Sequence, residues 1–157
     1  MIILSFTFSS CKVAKYLQIW YPITMKNQYQ HTKTTVSLIH YHFVFCPRYR
    51  RKIFKIPGVE ARFKELAIAE CEKQGIEILA LECHVDHVHL FVSVLPTMGI
   101  PAVMRHVKGC TSLPLRTEFP QLSAMPSLWT RSYFVSTAGR VSTETIQRYV
   151  ESQKTRP

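Results

Sequence analysis

Between Thr34 and Cys46 apolar and β-branched side chains dominate, with Val36, Leu38, Ile39, Tyr41, Phe43, Val44 and Phe45, and the run stops at Cys46-Pro47. Such a stretch predicts a strand, ended by a proline that has no N–H to give to a ladder. Pro57-Gly58 predicts a turn. After it Val59, Phe63, Leu66, Ala67 and Cys71 recur at intervals of three and four up to Gly75, which predicts a helix with one buried stripe. Ile76 to Cys83 and His87 to Leu95 read as two further strands. Their connection, His84-Val85-Asp86, is so short that an antiparallel hairpin is expected. Pro101 stands where a helix tolerates proline, in its first turn. Beyond it Val103, Val107 and Cys110 form an apolar stripe, Arg105 and Lys108 lie on another face, and Pro114 is expected to end or kink the helix. Leu128 to Thr137 predicts a fourth strand, Ala138-Gly139-Arg140 a flexible joint, and Ser142 the N-cap of a last helix reaching Gln153.

The resulting order, β-α-β-β-α-β plus a terminal helix, is the split βαβ, ferredoxin-like pattern of an α+β protein. It implies an antiparallel sheet with two helices on one face and the other face open. This scaffold hosts many functions, so the fold alone decides none. The 157 residues suffice for one domain with a real core. Residues 1–24 read differently from the rest. Met1 to Phe8 is apolar but too short to span a bilayer, and Lys12 and Lys15 follow it, whereas a secretory signal carries its charge in front. Met25-Lys26-Asn27-Gln28 looks like a natural start. The expectation is therefore an extension over 1–24 outside the folded unit, and a single catalytic domain over 25–157. No membrane attachment is expected. Five cysteines, an odd number without C-x-x-C spacing and partly in apolar stretches, suit free thiols in a reducing cytoplasm.

Charge narrows the class of partner. Lys and Arg number 20 against 10 for Asp and Glu, a net charge of +10. Such an excess favours a polyanion, since each phosphate neutralised releases counterions. The segment Arg48, Arg50, Arg51, Lys52 and Lys55 concentrates this charge, with Tyr49 and Phe54 interleaved as candidate stacking surfaces for unpaired bases. Arg105 and Lys108 are candidate phosphate contacts on the second helix.

Asp86-His87-Val88-His89-Leu90-Phe91-Val92 carries the chemistry. Side chains alternate along a strand, so His87 and His89 point one way while Val88, Leu90, Val92 and Val94 point the other. With the aliphatic face against the helices, the two imidazoles emerge together on the open face, spaced to grip one divalent cation. An H-x-H pair alone is more often two half-exposed strand histidines. Tyr149 and Gln153, four residues apart on one face of the last helix, change that balance.

Taken together these residues resemble the His-hydrophobic-His (HUH) type single-tyrosine transposases of small bacterial insertion sequences, the TnpA-like family. The resemblance runs from about Val36 to Gln153. Its landmarks, in order, begin with His40-Tyr41-His42-Phe43-Val44-Phe45-Cys46-Pro47-Arg48-Tyr49-Arg50-Arg51-Lys52 and the Asp86 to Val92 segment. Lys108-Gly109, Glu118-Phe119-Pro120, Leu128-Trp129, Ser132-Tyr133-Phe134 and Tyr149-Val150-Glu151-Ser152-Gln153 complete them. The resemblance implies Tyr149 as nucleophile and His87, His89 and Gln153 as ligands of a divalent metal, Mg²⁺ or Mn²⁺. It further implies single-stranded DNA with hairpins at element ends as substrate, and a homodimer in which one subunit's histidines can meet the other's tyrosine helix. Two rivals remain open at this point. One is a host-adopted relative that processes repeated chromosomal hairpins by the same chemistry. The other is a non-catalytic single-stranded nucleic-acid-binding module on the same sheet.

Overall fold

The first apolar run folds as two pieces rather than the single strand expected. β2 (Val36–Ser37) pairs antiparallel with β1 (Gln30–His31) in a small hairpin, and only β3 (His40–Phe45) enters the main sheet. A tight turn before Val36 closes that small hairpin. Thr32 N–H donates to the Thr35 carbonyl at 2.8 Å, and the Thr32 hydroxyl accepts from Thr35 N–H at 3.0 Å. Residues 29–137 are those described by this computed structural model. The expected extension over 1–24, the joint at Gly139, Ser142 and the last helix with Tyr149 and Gln153 lie outside the described residues.

After β3 come two single 3₁₀ turns, Arg48–Arg50 and Ile53–Lys55, and then α1 (Val59–Lys73). Gly75, at φ 68°, ends α1 in a left-handed conformation that glycine adopts without a Cβ clash. Ile76 N–H then reaches the Cys71 carbonyl and Gly75 N–H the Glu72 carbonyl, so two carbonyls at the helix end are satisfied as the chain turns into β4 (Glu77–Cys83). β5 (Val88–Ser93), α2 (Ile100–Glu118), the short α3 (Pro120–Ser123) and β6 (Phe134–Thr137) follow. The main sheet has the order β4-β5-β3-β6 with every neighbouring pair antiparallel, which is the ferredoxin-like arrangement.

Alternation sets the two faces of this sheet. Phe43 and Phe45 of β3 and Val88, Leu90 and Val92 of β5 are buried against Val59, Phe63 and Ala67 of α1 and Val103, Val107 and Leu115 of α2. Each of these valine, leucine and phenylalanine side chains, fully buried, contributes roughly 1.5–3 kcal/mol. The opposite face is less bare than expected. Phe91 is 1% exposed with the His40 ring edge-on at 5.7 Å, and Gln30 of the small hairpin donates to the Ser93 hydroxyl at 2.9 Å.

Two further expectations are corrected. Of the two outcomes expected of Pro114, ending the helix is overturned: α2 continues past it to Glu118, because contacts around it hold the last turn. Leu115 packs into the core, Trp129 donates from Nε1 to the Thr111 hydroxyl at 3.0 Å, and Arg62 grips the Glu118 carboxylate at 2.7 and 2.8 Å. The fourth strand spans only Phe134–Thr137 instead of Leu128 to Thr137. Trp129 bridges to Pro47 and Thr130 N–H reaches the Cys46 carbonyl, but the carbonyls of Thr130, Arg131 and Ser132 turn to the Lys108 ammonium. The four cysteines among the described residues are free thiols, and burial raises Cys71 to about 12 and Cys110 to about 11. Among the described residues no helix is long and apolar enough to cross a membrane.

Candidate active site on the second sheet face

With Val88, Leu90 and Val92 facing the core, His89 projects from β5 to the face away from the helices. The hairpin register then brings histidines together. Glu82 lies opposite His89 and Cys83 opposite Val88, so the next pair across the mouth of the hairpin is His84 and His87. His84 N–H donates to the His87 carbonyl at 2.8 Å and closes the turn over Val85-Asp86. The His84 and His87 rings stack at 4.6 Å with planes 4° apart, and His89 stands edge-on to both, at 5.4 and 5.0 Å. One ring nitrogen from each of His84, His87 and His89 lies within 4.8 Å of the others.

Two neighbours fix this group. His42 Nε2 lies 3.1 Å from His89 Nδ1, with the rings nearly parallel. His89 is only 8% exposed, and burial, aided by His87, His42 and His84, pushes it down to about 4. Burial also lowers His42, and lowers His84 with help from His87. These imidazoles are therefore neutral near pH 7 and carry a lone pair, the form in which histidine binds a cation. Behind His87, the Asp86 carboxylate accepts at 2.7 Å from Nδ1, which leaves Nε2 as the ligand nitrogen. The hydrogen bond from His87, followed by that from Arg50, holds the Asp86 carboxyl below its usual range. From its place in the chain Asp86 reads first as a residue that steadies the hairpin, with a hydrogen bond to a histidine as the alternative. It makes the second contact, and its other oxygen accepts from Arg50 Nε at 3.0 Å. A set of converging imidazoles with a carboxylate behind one of them fits a divalent cation.

The basic segment sits beside the histidines through that Arg50–Asp86 pair. Tyr49 and Arg50 both have left-handed backbones, at φ 59° and 51°, unusual for residues with a Cβ. The twist leaves the Tyr49 ring 72% exposed, with the Arg48 guanidinium 5.0 Å over it and donating to the Ser127 hydroxyl at 3.1 Å. Arg51, Lys52, Lys55 and Arg105 are exposed. Two candidates turn elsewhere. Phe54 packs edge-on against Phe63 at 5.6 Å and beside Trp129, so its ring belongs to the core margin and is only partly exposed. Lys108 is half-buried, its ammonium donating to three backbone carbonyls at 3.1, 3.4 and 3.1 Å, rather than reaching outward to phosphate.

Tyr149 and Gln153 lie outside the described residues. His84 and His42 were not foreseen as members of the site. His84 had a signal: a two-residue connection makes its flanking residues cross-strand neighbours on one face, so H-x-x-H-x-H is already a three-histidine pattern. His42 had none, because its meeting with His89 depends on how two strands 47 positions apart pair.

Comparison with known proteins points the same way. The family described as transposase IS200 like matches residues 35–153. The transposase for insertion sequence element IS200 of Salmonella typhimurium is 35% identical over 119 residues, covering 72% of this chain and 75% of its own length. The ISDra2 transposase TnpA of Deinococcus radiodurans is 30% identical over 121 residues, 75% of this chain and 86% of its own. A crystal structure from Deinococcus radiodurans assigned as a transposase superposes with a TM-score of 0.65 at 28% identity, over 79% of this chain and 97% of that one. A REP-associated tyrosine transposase bound to a REP hairpin shares the fold, with a TM-score of 0.52 at 11% identity over 78% of this chain and 68% of its own.

Proposed function

We propose a mechanism from one premise: this chain belongs to the IS200-like transposase family. Membership implies DNA transposition by cleavage and strand transfer. The finer reading is that the protein cuts and rejoins single-stranded DNA at hairpin-bearing element ends, using Tyr149 as nucleophile and a divalent metal, Mg²⁺ or Mn²⁺, held by His87, His89 and Gln153. The observation that carries it is the convergence of the imidazoles of His87 and His89 on the sheet face away from the helices. It is supported by the basic, tyrosine-bearing turn that Arg50 ties to Asp86 beside them.

The chemistry starts from a phenol, whose ordinary pKa of about 10 makes it a weak nucleophile at neutral pH. A bound divalent cation would draw charge from the scissile phosphate and favour its attack. The hydroxyl oxygen of Tyr149 attacks phosphorus and forms a P–O bond, while the bond to the 3′-oxygen breaks. The phenolic proton passes to solvent and the departing 3′-oxygen takes one up. A 5′-phosphotyrosine and a free 3′-hydroxyl result. Since the phosphodiester energy stays in that bond, another 3′-hydroxyl can reverse the step and join new ends without ATP. His87 is held in position by Asp86 and His89 by His42, while Arg48, Arg50, Arg51 and Lys52 would hold the backbone phosphates. The chain would act as a homodimer, with the tyrosine supplied from either subunit.

A binding-only module would stack bases on aromatic side chains of the two central strands. On this face those strands carry His42, His89 and a buried Phe91, an arrangement that favours catalysis. The test is incubation with a single-stranded hairpin DNA and Mg²⁺ or Mn²⁺, followed by a denaturing gel. A covalent protein–DNA adduct is expected that a chelator suppresses and Tyr149→Phe abolishes. An adduct that persists in Tyr149→Phe would falsify the nucleophile assignment.

A further inference from the structure

Three imidazoles, not two, converge at the mouth of the β4–β5 hairpin. We propose that His84 is a third nitrogen ligand of the cation held by His87 and His89, and that it raises the site's affinity for first-row divalent ions that accept nitrogen, Mn²⁺ among them and Co²⁺ as their probe, relative to Mg²⁺. The proposal rests on the metal reading above and adds to it a ligand and a preference.

The placement of His84 is enforced by the backbone. Its N–H is bonded to the His87 carbonyl at 2.8 Å, and the ladder beyond pairs Cys83 with Val88 and Glu82 with His89. A hairpin closed over two residues gives its flanking side chains no choice but to share a face. His84 therefore stands over His87, ring on ring at 4.6 Å, and edge-on to His89. Ligand nitrogens on one metal sit about 3 Å apart, given metal–nitrogen bonds of about 2.0–2.1 Å. The three nitrogens here, within 4.8 Å of each other, reach that spacing by side-chain adjustment alone. His84 is only partly buried, so its ring has room to swing.

The preference follows from ligand chemistry. Mg²⁺ demands oxygen ligands and keeps its water, whereas imidazole suits the later first-row ions. Two imidazoles can be tolerated in a mainly oxygen-ligated shell. A third moves the balance to nitrogen.

The experiment uses the full chain freed of metal, titrated calorimetrically with Mg²⁺ alone and with Co²⁺ alone. Co²⁺ is expected to bind at least about a hundredfold more tightly than Mg²⁺. His84→Ala should weaken Co²⁺ by about 10- to 100-fold and change Mg²⁺ by no more than about twofold, with the metal-free melting temperature checking the fold. His84→Asn should behave in the same way. His87→Ala separates the two levels of the argument. If it loses Co²⁺ while both His84 variants keep wild-type affinity, the third-ligand proposal is overturned and the metal reading stands. If His87→Ala also keeps Co²⁺, the metal reading itself falls. Should the His84 variants fail to fold, NMR of the Co²⁺-loaded wild-type chain decides: contact-shifted ring signals from three histidines support the proposal, and from two overturn it.

Discussion

At the scale of single residues, His42 decides which nitrogen of His89 carries its proton. Their 3.1 Å contact joins Nε2 of one ring to Nδ1 of the other, so one donates and one accepts. If His89 donates from Nδ1, its Nε2 keeps a lone pair for a cation. If His42 donates instead, the proton of His89 moves to Nε2 and that position cannot bind metal. Cation binding therefore requires His42 as acceptor, a role that burial favours by keeping its ring neutral. His42→Ala is expected to weaken metal affinity by about 10- to 100-fold in a calorimetric titration, and His42→Gln, whose amide oxygen can accept, should recover most of it. Equal affinity in all three proteins would mean that the tautomer of His89 is set by another group. His87 reaches the same state by a local route, since Asp86 is its own sequence neighbour.

At the scale of elements, Lys108 couples α2 to the segment that leads into β6. Its ammonium donates to the carbonyls of Thr130, Arg131 and Ser132 and lies 5.7 and 5.1 Å over the rings of Phe45 and Tyr133. Burial lowers its pKa, yet it is the donor that draws the three carbonyls together, of which that of Ser132 also accepts from the Thr130 hydroxyl at 3.0 Å. Lys108→Met keeps the stem and removes the donors. A loss of about 1–3 kcal/mol of stability is expected in urea melts, from hydrogen bonds to a charged group. Affinity for single-stranded DNA should fall less than in Arg51→Gln. A Lys108→Met protein of undiminished stability and impaired DNA binding would return this lysine to phosphate contact. The same helix teaches a limit of local reasoning. Pro114 removes one N–H from the ladder, but the Arg62–Glu118 pair and the Trp129–Thr111 bond draw the helix onward to Glu118. Those partners lie far away in sequence, so nothing local could announce them.

At the scale of the whole molecule, the net charge of +10 is focused beside the candidate site by the turn from Arg48 to Lys52. Binding to a single-stranded hairpin oligonucleotide should weaken steeply with salt, by about 0.7 in log affinity per log salt for each phosphate held. Arg51→Gln and Lys52→Gln should each reduce that slope by about 0.7. Slopes unchanged in both variants would assign the phosphates to other side chains.

The periodicity of two along β5 determined by itself that His87 and His89 share a face and that Val88, Leu90 and Val92 make the core, because alternation is a property of the backbone at each residue. The order of elements, and with it the ferredoxin-like sheet, was equally local in origin. Even the third histidine, His84, was implicit in the length of one turn. Contacts between segments distant in the chain needed the tertiary structure. The meeting of His42 with His89 follows from strand register, the inward turn of Phe54 from the space between α1 and Trp129, and the capture of Lys108 from three carbonyls that converge before β6. Each is fixed by the packing of non-neighbouring elements, and side-chain direction at such places is decided only when those elements come together.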